Sequence, residues 1–362
     1  LKPCLLKLCQ VLSDQLRSSR SNSPRLKPMP SHDRSRSPVG RSANTRGKTP
    51  YKIRWVLAHE PIELFLRAAK KFKETMERTA PGRLDFEVMT LSEYSAKYQG
   101  GRKVTKHDLL DLMETGDIEM SQMYTSTLGR THNRDMWALD MPFLFRDHEH
   151  AKRVLEGDIG QKLLTDLNTK TNVHGLAFTY SGGYRMIPST VEIKTLEDFD
   201  GVPLRCNKSP IAAETFTAVG AKPVQIELEE INEAVEGGRI QGGESTYARF
   251  FSLKQNECCS VINDAEHSLF LTSIIITKSF WDSLGQELQE LIQAAAIDAA
   301  RNEREESVED CEIVKAECIK NKIILSELPA KERSRWQAAT EYLYKKFEDM
   351  FSAGLLANIR SA

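Results

Sequence analysis

The 362-residue sequence lacks any apolar run of membrane-spanning length. Its longest, Leu269 to Thr277, stops at Lys278, well short of the roughly 20 residues a transmembrane helix needs. No CxxC pair occurs, which removes the paired thiolates on which a zinc site would be built. There is no GxxxxGK loop, and no GxGxxG follows the first strand-like segment, so the usual cradles for nucleotide phosphates are missing and no cofactor is expected. GxSxG is absent as well, and with it the strained elbow that presents a hydrolase serine. The seven cysteines are odd in number, with Cys258 and Cys259 adjacent and Cys311 and Cys318 seven apart in a helical stretch. They form no disulfide framework and fit a reducing compartment better than an oxidising one.

Charge is abundant but unevenly placed. Residues 1–50 hold 11 Lys/Arg against 2 Asp/Glu, leaving 39 against 49 for the remainder. The basic head is rich in Ser, Arg and Pro without apolar periodicity, so it buries too little surface to offset the entropy of ordering. Residues 1–50 are expected to be a disordered extension, or in the first dozen residues the remnant of an export signal. No aromatic residue interleaves the arginines and no base-reading module follows, which argues against nucleic-acid binding.

After Pro50 the pattern becomes α/β. Tyr51, Ile53, Trp55 and Leu57 alternate as in a strand, and Leu64, Phe65, Ala68, Ala69, Phe72 and Met76 recur at helical spacing. Strands over Leu84–Val88 and Ile118–Met123, with a helix over His107–Thr115 between them, extend a β-α-β-α-β order that favours a parallel sheet. A strand over Val173–Tyr180 leads into a second α/β series from about Ile211 to Gly242. Leu269–Ile276 is long enough to cross back, one helix is expected over Ser279–Lys320 with Gly285 as its weak point, and another over Lys331–Phe351. His148, Glu149 and His150 resemble metal ligands by composition only, because side chains one and two apart point away from each other on a helix.

The segment Gly182 to Pro210, GGYRMIPSTVEIKTLEDFDGVPLRCNKSP, organises the function. Arg185 follows Gly-Gly-Tyr, and Arg205 sits in the apolar run Val202-Pro203-Leu204, which would ordinarily exclude a guanidinium. A guanidinium is always charged and its planar fork matches a carboxylate. Two lobes joined by at least two crossings, with arginines at their boundary, make a clamp for an anion. Each arginine also admits the plainer role of pairing with an acid of its own chain.

Over about residues 51–350 the chain resembles the DctP-type periplasmic solute-binding proteins of tripartite ATP-independent periplasmic (TRAP) transporters. The segments that carry the resemblance are GDIEMSQMY, LDMPFLFRDHEHAKRVLEG, the arginine segment above, AVGAKPVQIELEEINEAVEGGRIQGGEST and EHSLFLTSIIITKSFWDSL, in that order. It implies a two-lobed periplasmic-binding-protein-like α/β fold, each lobe a sheet flanked by helices, joined by hinge strands and a long C-terminal helix. Residues 51–181 with 271–310 would form lobe I, 182–270 with 311–338 lobe II, and 339–362 a closing helix. By the same resemblance Arg205 takes the carboxylate of a sugar acid or C4-dicarboxylate and Arg185 assists. Ser245, just after Glu244, stands where the family commonly has Asn; Asn207, Tyr124, His59 and Glu60 fall near other pocket positions, and His267 lies at the return crossing. Gln241 also replaces a usual acid. The partners implied are a small carboxylate and the TRAP membrane permease subunits, for a monomer in the periplasm with no metal and no catalytic residue.

Two rival readings use the same cleft. A lyase or isomerase would take His59 or His267 as general base, which requires an oriented partner. A sensory or interaction domain would use the cleft and the free basic head.

Overall fold

The computed structural model describes residues 49–59, 62–169 and 171–362; the expectations for the basic head and for Glu60 lie outside them. Eleven strands form two sheets among these residues. The first contains β1 (Tyr51–Leu57), β2 (Leu84–Thr90), β3 (Met120–Tyr124), β4 (Val173–Tyr184) and β10 (Leu269–Thr277), in the order β2-β1-β3-β10-β4. The second contains β5 (Ile187–Ser189), β6 (Pro203–Cys206), β7 (Lys222–Gln225), β8 (Gly242–Gly243), β9 (Val261–Asp264) and β11 (Ile324–Glu327), in the order β11-β9-β5-β8-β6-β7.

As the β-α-β-α-β order predicts, β1 pairs in parallel with β2 and β3. The sheet as a whole is mixed, because β10 runs antiparallel to both β3 and β4. Its direction follows from its origin: β10 arrives from the second sheet, whereas β4 departs for it. Alternation in β1 sends Trp55 and Leu57 to one face and Val56 to the other. The first sheet is therefore buried on both sides, and so is the second, with Ile262 on one face and Leu204 on the other.

Two short crossings join the sheets directly, and the helix Gln286–Lys320 between β10 and β11 carries the chain across a third time. β4 continues through Arg185 to Met186, which bridges Ser245, and then to β5; β9 returns through residues 265–268 to β10. The crossings bond to each other where the Arg185 amide donates to the Ser268 carbonyl at 2.9 Å. Gly182 and Gly183 both have positive φ at the end of β4, and a Cβ on Gly182 would collide with the side chain of Thr246, so glycine is required there.

The expected helix over Ser279–Lys320 is interrupted. Lys278–Ser283 is followed by extended Leu284 and by Gly285 as N-cap of the 35-residue helix Gln286–Lys320. Its first half packs Ala295, Ala296, Ala299 and Ala300 against the first sheet, and Cys318 near its end lies in the core of the second. Midway it grips the backbone of β4: Gln293 donates to the Leu176 carbonyl at 2.7 Å, Arg304 to the Phe178 carbonyl at 2.6 Å, and Glu303 accepts the Tyr180 amide at 2.7 Å.

The last helix is likewise divided, into Ala330–Thr340, Tyr342–Lys346 and Leu355–Ser361. The reason is packing. Trp336 belongs to the core of the second sheet, while Leu343, Phe347, Phe351, Leu356 and Ile359 belong to that of the first, and one straight helix would not serve both.

Glu303 is fully buried, and burial pushes its carboxyl up to about 7 against the lowering effect of the Ser307 hydroxyl and Arg67. In the unfolded chain it would ionise near 4.5, so the native state binds the extra proton between those values and stability falls as pH rises from about 4.5 to 7. Glu303→Gln is expected to remove this dependence, gaining on wild type by up to about 3 kcal/mol between pH 5 and 8. Denaturant unfolding at several pH values measures it; parallel pH profiles for the two proteins would refute the assignment.

Candidate anion-binding site

The site forms where the two crossings meet the ends of β1, β3 and β6. A cavity of about 220 Å³ lies there, lined among others by His59, Tyr124, Arg205, Asn207 and Phe270. Arg205 projects from β6 with its stem fixed by its own chain: Nε donates to the Ile226 carbonyl at 3.0 Å and Nη1 to the Glu244 carbonyl at 3.1 Å. Those bonds aim the remaining edge of the fork and lock it in place.

Arg185 is 1% exposed and lies flat on Phe270, 3.7 Å from the ring centroid. Neither terminal nitrogen has a hydrogen-bond partner among the described residues, although Nη1 is 3.5 Å from Glu244 Oε1. Stacking on an aromatic face stabilises the cation without using its N–H donors. The donors are left for another acceptor.

Glu244 is the hub behind both arginines. Its Oε1 accepts the Asn207 amide at 2.6 Å and lies 3.8 Å from Arg205 Nη1, while Oε2 is 3.4 Å from His267 Nε2. Burial pushes its carboxyl up, but Arg185, the His267 hydrogen bond and Arg205 override this and hold it at about 2. It is ionised at any physiological pH. His267 stacks on Trp336 with centroids 5.1 Å apart, and burial lowers it against the opposing pull of Glu244.

On the side of the first sheet, His59 is buried and packs at a tilt against Tyr124, with ring centroids 4.1 Å apart. Burial, then Lys106 and Arg249, lower it to about 3, so the ring is neutral, with one donor and one acceptor; neither nitrogen has a partner among the described residues. Tyr124 in turn stacks on Phe270 at 5.0 Å. Ser245 is fully buried with its hydroxyl unpartnered among the described residues.

Of the positions singled out in the sequence, His59, Tyr124, Arg205 and Asn207 line the cavity. Arg185, Glu244, Ser245 and His267 are buried around the same junction, and Glu60 is outside the described residues. Two groups escaped the sequence reading. Arg249, fully buried, donates from Nη2 to Ser181 Oγ at 2.5 Å and to the Tyr124 hydroxyl at 3.4 Å, and lies 4.7 Å from the Phe270 centroid. An arginine among Tyr247, Phe250 and Phe251 carries the same signal that singled out Arg205. Asp140 is buried too, and burial lifts its carboxyl to about 7 despite Arg185; its place inside the apolar run of residues 136–145 is the same kind of signal.

The chemistry available is recognition. Cys206 is buried beside Arg205 and its thiol is pushed up to about 12 by burial, which makes it unreactive. His59 is too weak a base for proton abstraction. Among the described residues no cluster of His, Cys, Asp and Glu could hold a metal ion, and the five cysteines there are free thiols. No helix among them is long and apolar enough to cross a membrane.

The family model of the bacterial extracellular solute-binding proteins, family 7, matches residues 58–350. The C4-dicarboxylate-binding periplasmic protein DctP of Rhodobacter capsulatus is 24% identical over 303 residues, spanning 82% of this chain and 86% of that protein. A TRAP periplasmic solute-binding protein from Ochrobactrum anthropi superposes with a TM-score of 0.76 at 25% identity, over 86% of this chain and 94% of that one. The sugar acid binding protein of Advenella mimigardefordensis, solved with galactonate, gives 0.74 at 21% identity, over 86% and 97%. With its two helix-flanked sheets and long C-terminal helix, the chain belongs to the bacterial extracellular solute-binding proteins of family 7, the DctP family, and is a solute-binding protein rather than an enzyme.

Proposed function

We propose that this protein captures a small organic acid, of the sugar-acid or C4-dicarboxylate class, in the cavity between its two sheets. It acts as a monomer in the periplasm and hands the acid to the membrane subunits of a TRAP transporter. Residues 51–181 with 271–310 act as one lobe and 182–270 with 311–338 as the other, closing about the crossings, with 339–362 packed across them. The observation that carries this reading is the pair of unpartnered nitrogens on buried Arg185 beside the fixed fork of Arg205. Buried cations of this kind are stable when an anion completes them.

The relatives support the chemical class: the Rhodobacter protein is named for C4-dicarboxylates, and a relative in Escherichia coli, 27% identical over 246 residues, for 2,3-diketo-L-gulonate. In this reading Arg205 receives the carboxylate and Arg185 assists. Ser245, Asn207, Tyr124 and His59 offer hydrogen bonds to the remainder, and Glu244 and His267 keep the guanidiniums oriented.

A thermal-shift screen with uronates, aldonates, C4-dicarboxylates, keto acids and neutral sugars tests the class. An acid present at a hundredfold over its dissociation constant adds about 2.7 kcal/mol, which for a chain of this size is a rise of a few degrees. Shifts from acids and not from neutral sugars are expected; a protein that responds to none of the acids refutes the proposal. Arg205→Ala should weaken the bound acid by about 2–5 kcal/mol, read by calorimetry on protein whose circular dichroism matches wild type. Unaltered affinity in that variant would remove Arg205 from the clamp.

A further inference from the structure

The cavity has a far end as well as a deep one, and the charges at the two ends differ in kind. At the deep end Arg205 lines the cavity, and it and Arg185 face a single ionised carboxylate, Glu244, with Arg249 and Asp140 also buried at this junction and the Asp140 carboxyl pushed up by its burial. Cationic charge is in excess there. At the far end Lys106, from the loop preceding the helix Leu109–Glu114 beside the first sheet, reaches across to the segment after β7 in the second. Its Nζ is 3.1 Å from Glu227 Oε2 and 2.8 Å from Glu229 Oε2, and Lys208 completes the group at 2.6 Å from Glu227 Oε1. Two ammonium groups meet two carboxylates, so this wall carries no net charge.

We propose that Glu227 and Glu229, by neutralising Lys106 across the cavity mouth, make the far end reject a second ligand carboxylate, so that the site selects hydroxylated monocarboxylates over dicarboxylates. This rests on the organic-acid reading of the cavity. A diacid long enough to leave the arginines would bring its second carboxylate against Glu227 and Glu229, with the nearest lysines already paired, and juxtaposed like charges are a strong source of discrimination. A hydroxylated tail meets no such penalty. Ser126, Thr127 and Thr131 line the same cavity, and hydroxyls can both donate to and accept from a polyol. At the outer rim Arg130 and Asp111 are exposed and opposite in sign, and solvent screens both.

Acids matched in every atom but the terminal group isolate the effect. Galactonate and galactarate differ only by a terminal CH2OH against a carboxylate, and 4-hydroxybutyrate and succinate form the shorter pair. By calorimetry on the wild-type protein the monoacid of the pair that binds is expected to be favoured by about tenfold or more. Glu227→Gln combined with Glu229→Gln frees Lys106 and Lys208, and should narrow that ratio by about tenfold, chiefly by tightening the diacid. Both side chains are half-buried or exposed, and each single variant serves as a check on folding. Equal or tighter wild-type binding of the diacid overturns the inference while leaving the organic-acid reading intact, as does a ratio that the double variant leaves unchanged. Failure of every acid to bind overturns both.

Discussion

The structure depends on one buried carboxylate. Glu244 lies 3.5 Å from Arg185, 3.8 Å from Arg205 and 3.4 Å from His267, and these residues come from four different places in the chain: the end of β4, β6, the segment after β8 and the return crossing. Taking so many charges out of water is costly unless each is matched, and here the match is incomplete by design of the sequence: more guanidinium than carboxylate is buried. Stacking on Phe270 makes this tolerable for Arg185, and backbone carbonyls do so for Arg205. Neither device consumes all of the donors. A site held in this state favours any anion of suitable shape, because completing a preorganised donor set requires little further ordering.

The same network ties recognition to the crossings. Arg185 sits on the strand that leaves the first sheet, its backbone bonds to the strand that returns, and its side chain meets a carboxylate fixed in the second sheet. An anion held by these arginines therefore acts on both sheets together. The helix Gln286–Lys320 supplies the opposite constraint, gripping β4 at Leu176, Phe178 and Tyr180. Gly182 and Gly183, at the end of the same strand, have positive φ, a region that favours glycine.

Much of this was legible in the sequence where period and composition act locally. The alternation of Ile53, Trp55 and Leu57 located β1, the apolar context of Arg205 marked a buried cation, and Gly285 was the weak point of a helix expected to be continuous, which the structure breaks there. What was not legible depended on tertiary demands. Nothing local says that β10 enters the first sheet antiparallel, because its direction is set by where the chain comes from. The division of the last helix reflects two cores claiming Trp336 and Leu343, a conflict that an amphipathic pattern does not record. Asp140, flanked by Leu139 and Met141 inside an apolar run, is marked as a buried charge in the way Arg205 is, but its electrostatic partnership with Arg185 depends on the fold.

Arg249 shows how the two kinds of information combine. Its sequence context repeats that of Arg205, yet its hydrogen bonds run to Ser181 and Tyr124 rather than into the cavity. By donating to the Tyr124 hydroxyl oxygen it leaves the phenolic hydrogen free to point elsewhere, and Tyr124 itself lines the cavity. A buried arginine can thus shape a binding site without touching its occupant, through the orientation of a neighbour and through the field it adds. That field also helps keep His59 neutral, so the wall opposite the arginines offers hydrogen bonds and no competing charge. The polarity of the cavity, cationic at one end and neutral along its length, is then a property of the whole junction rather than of Arg185 and Arg205 alone.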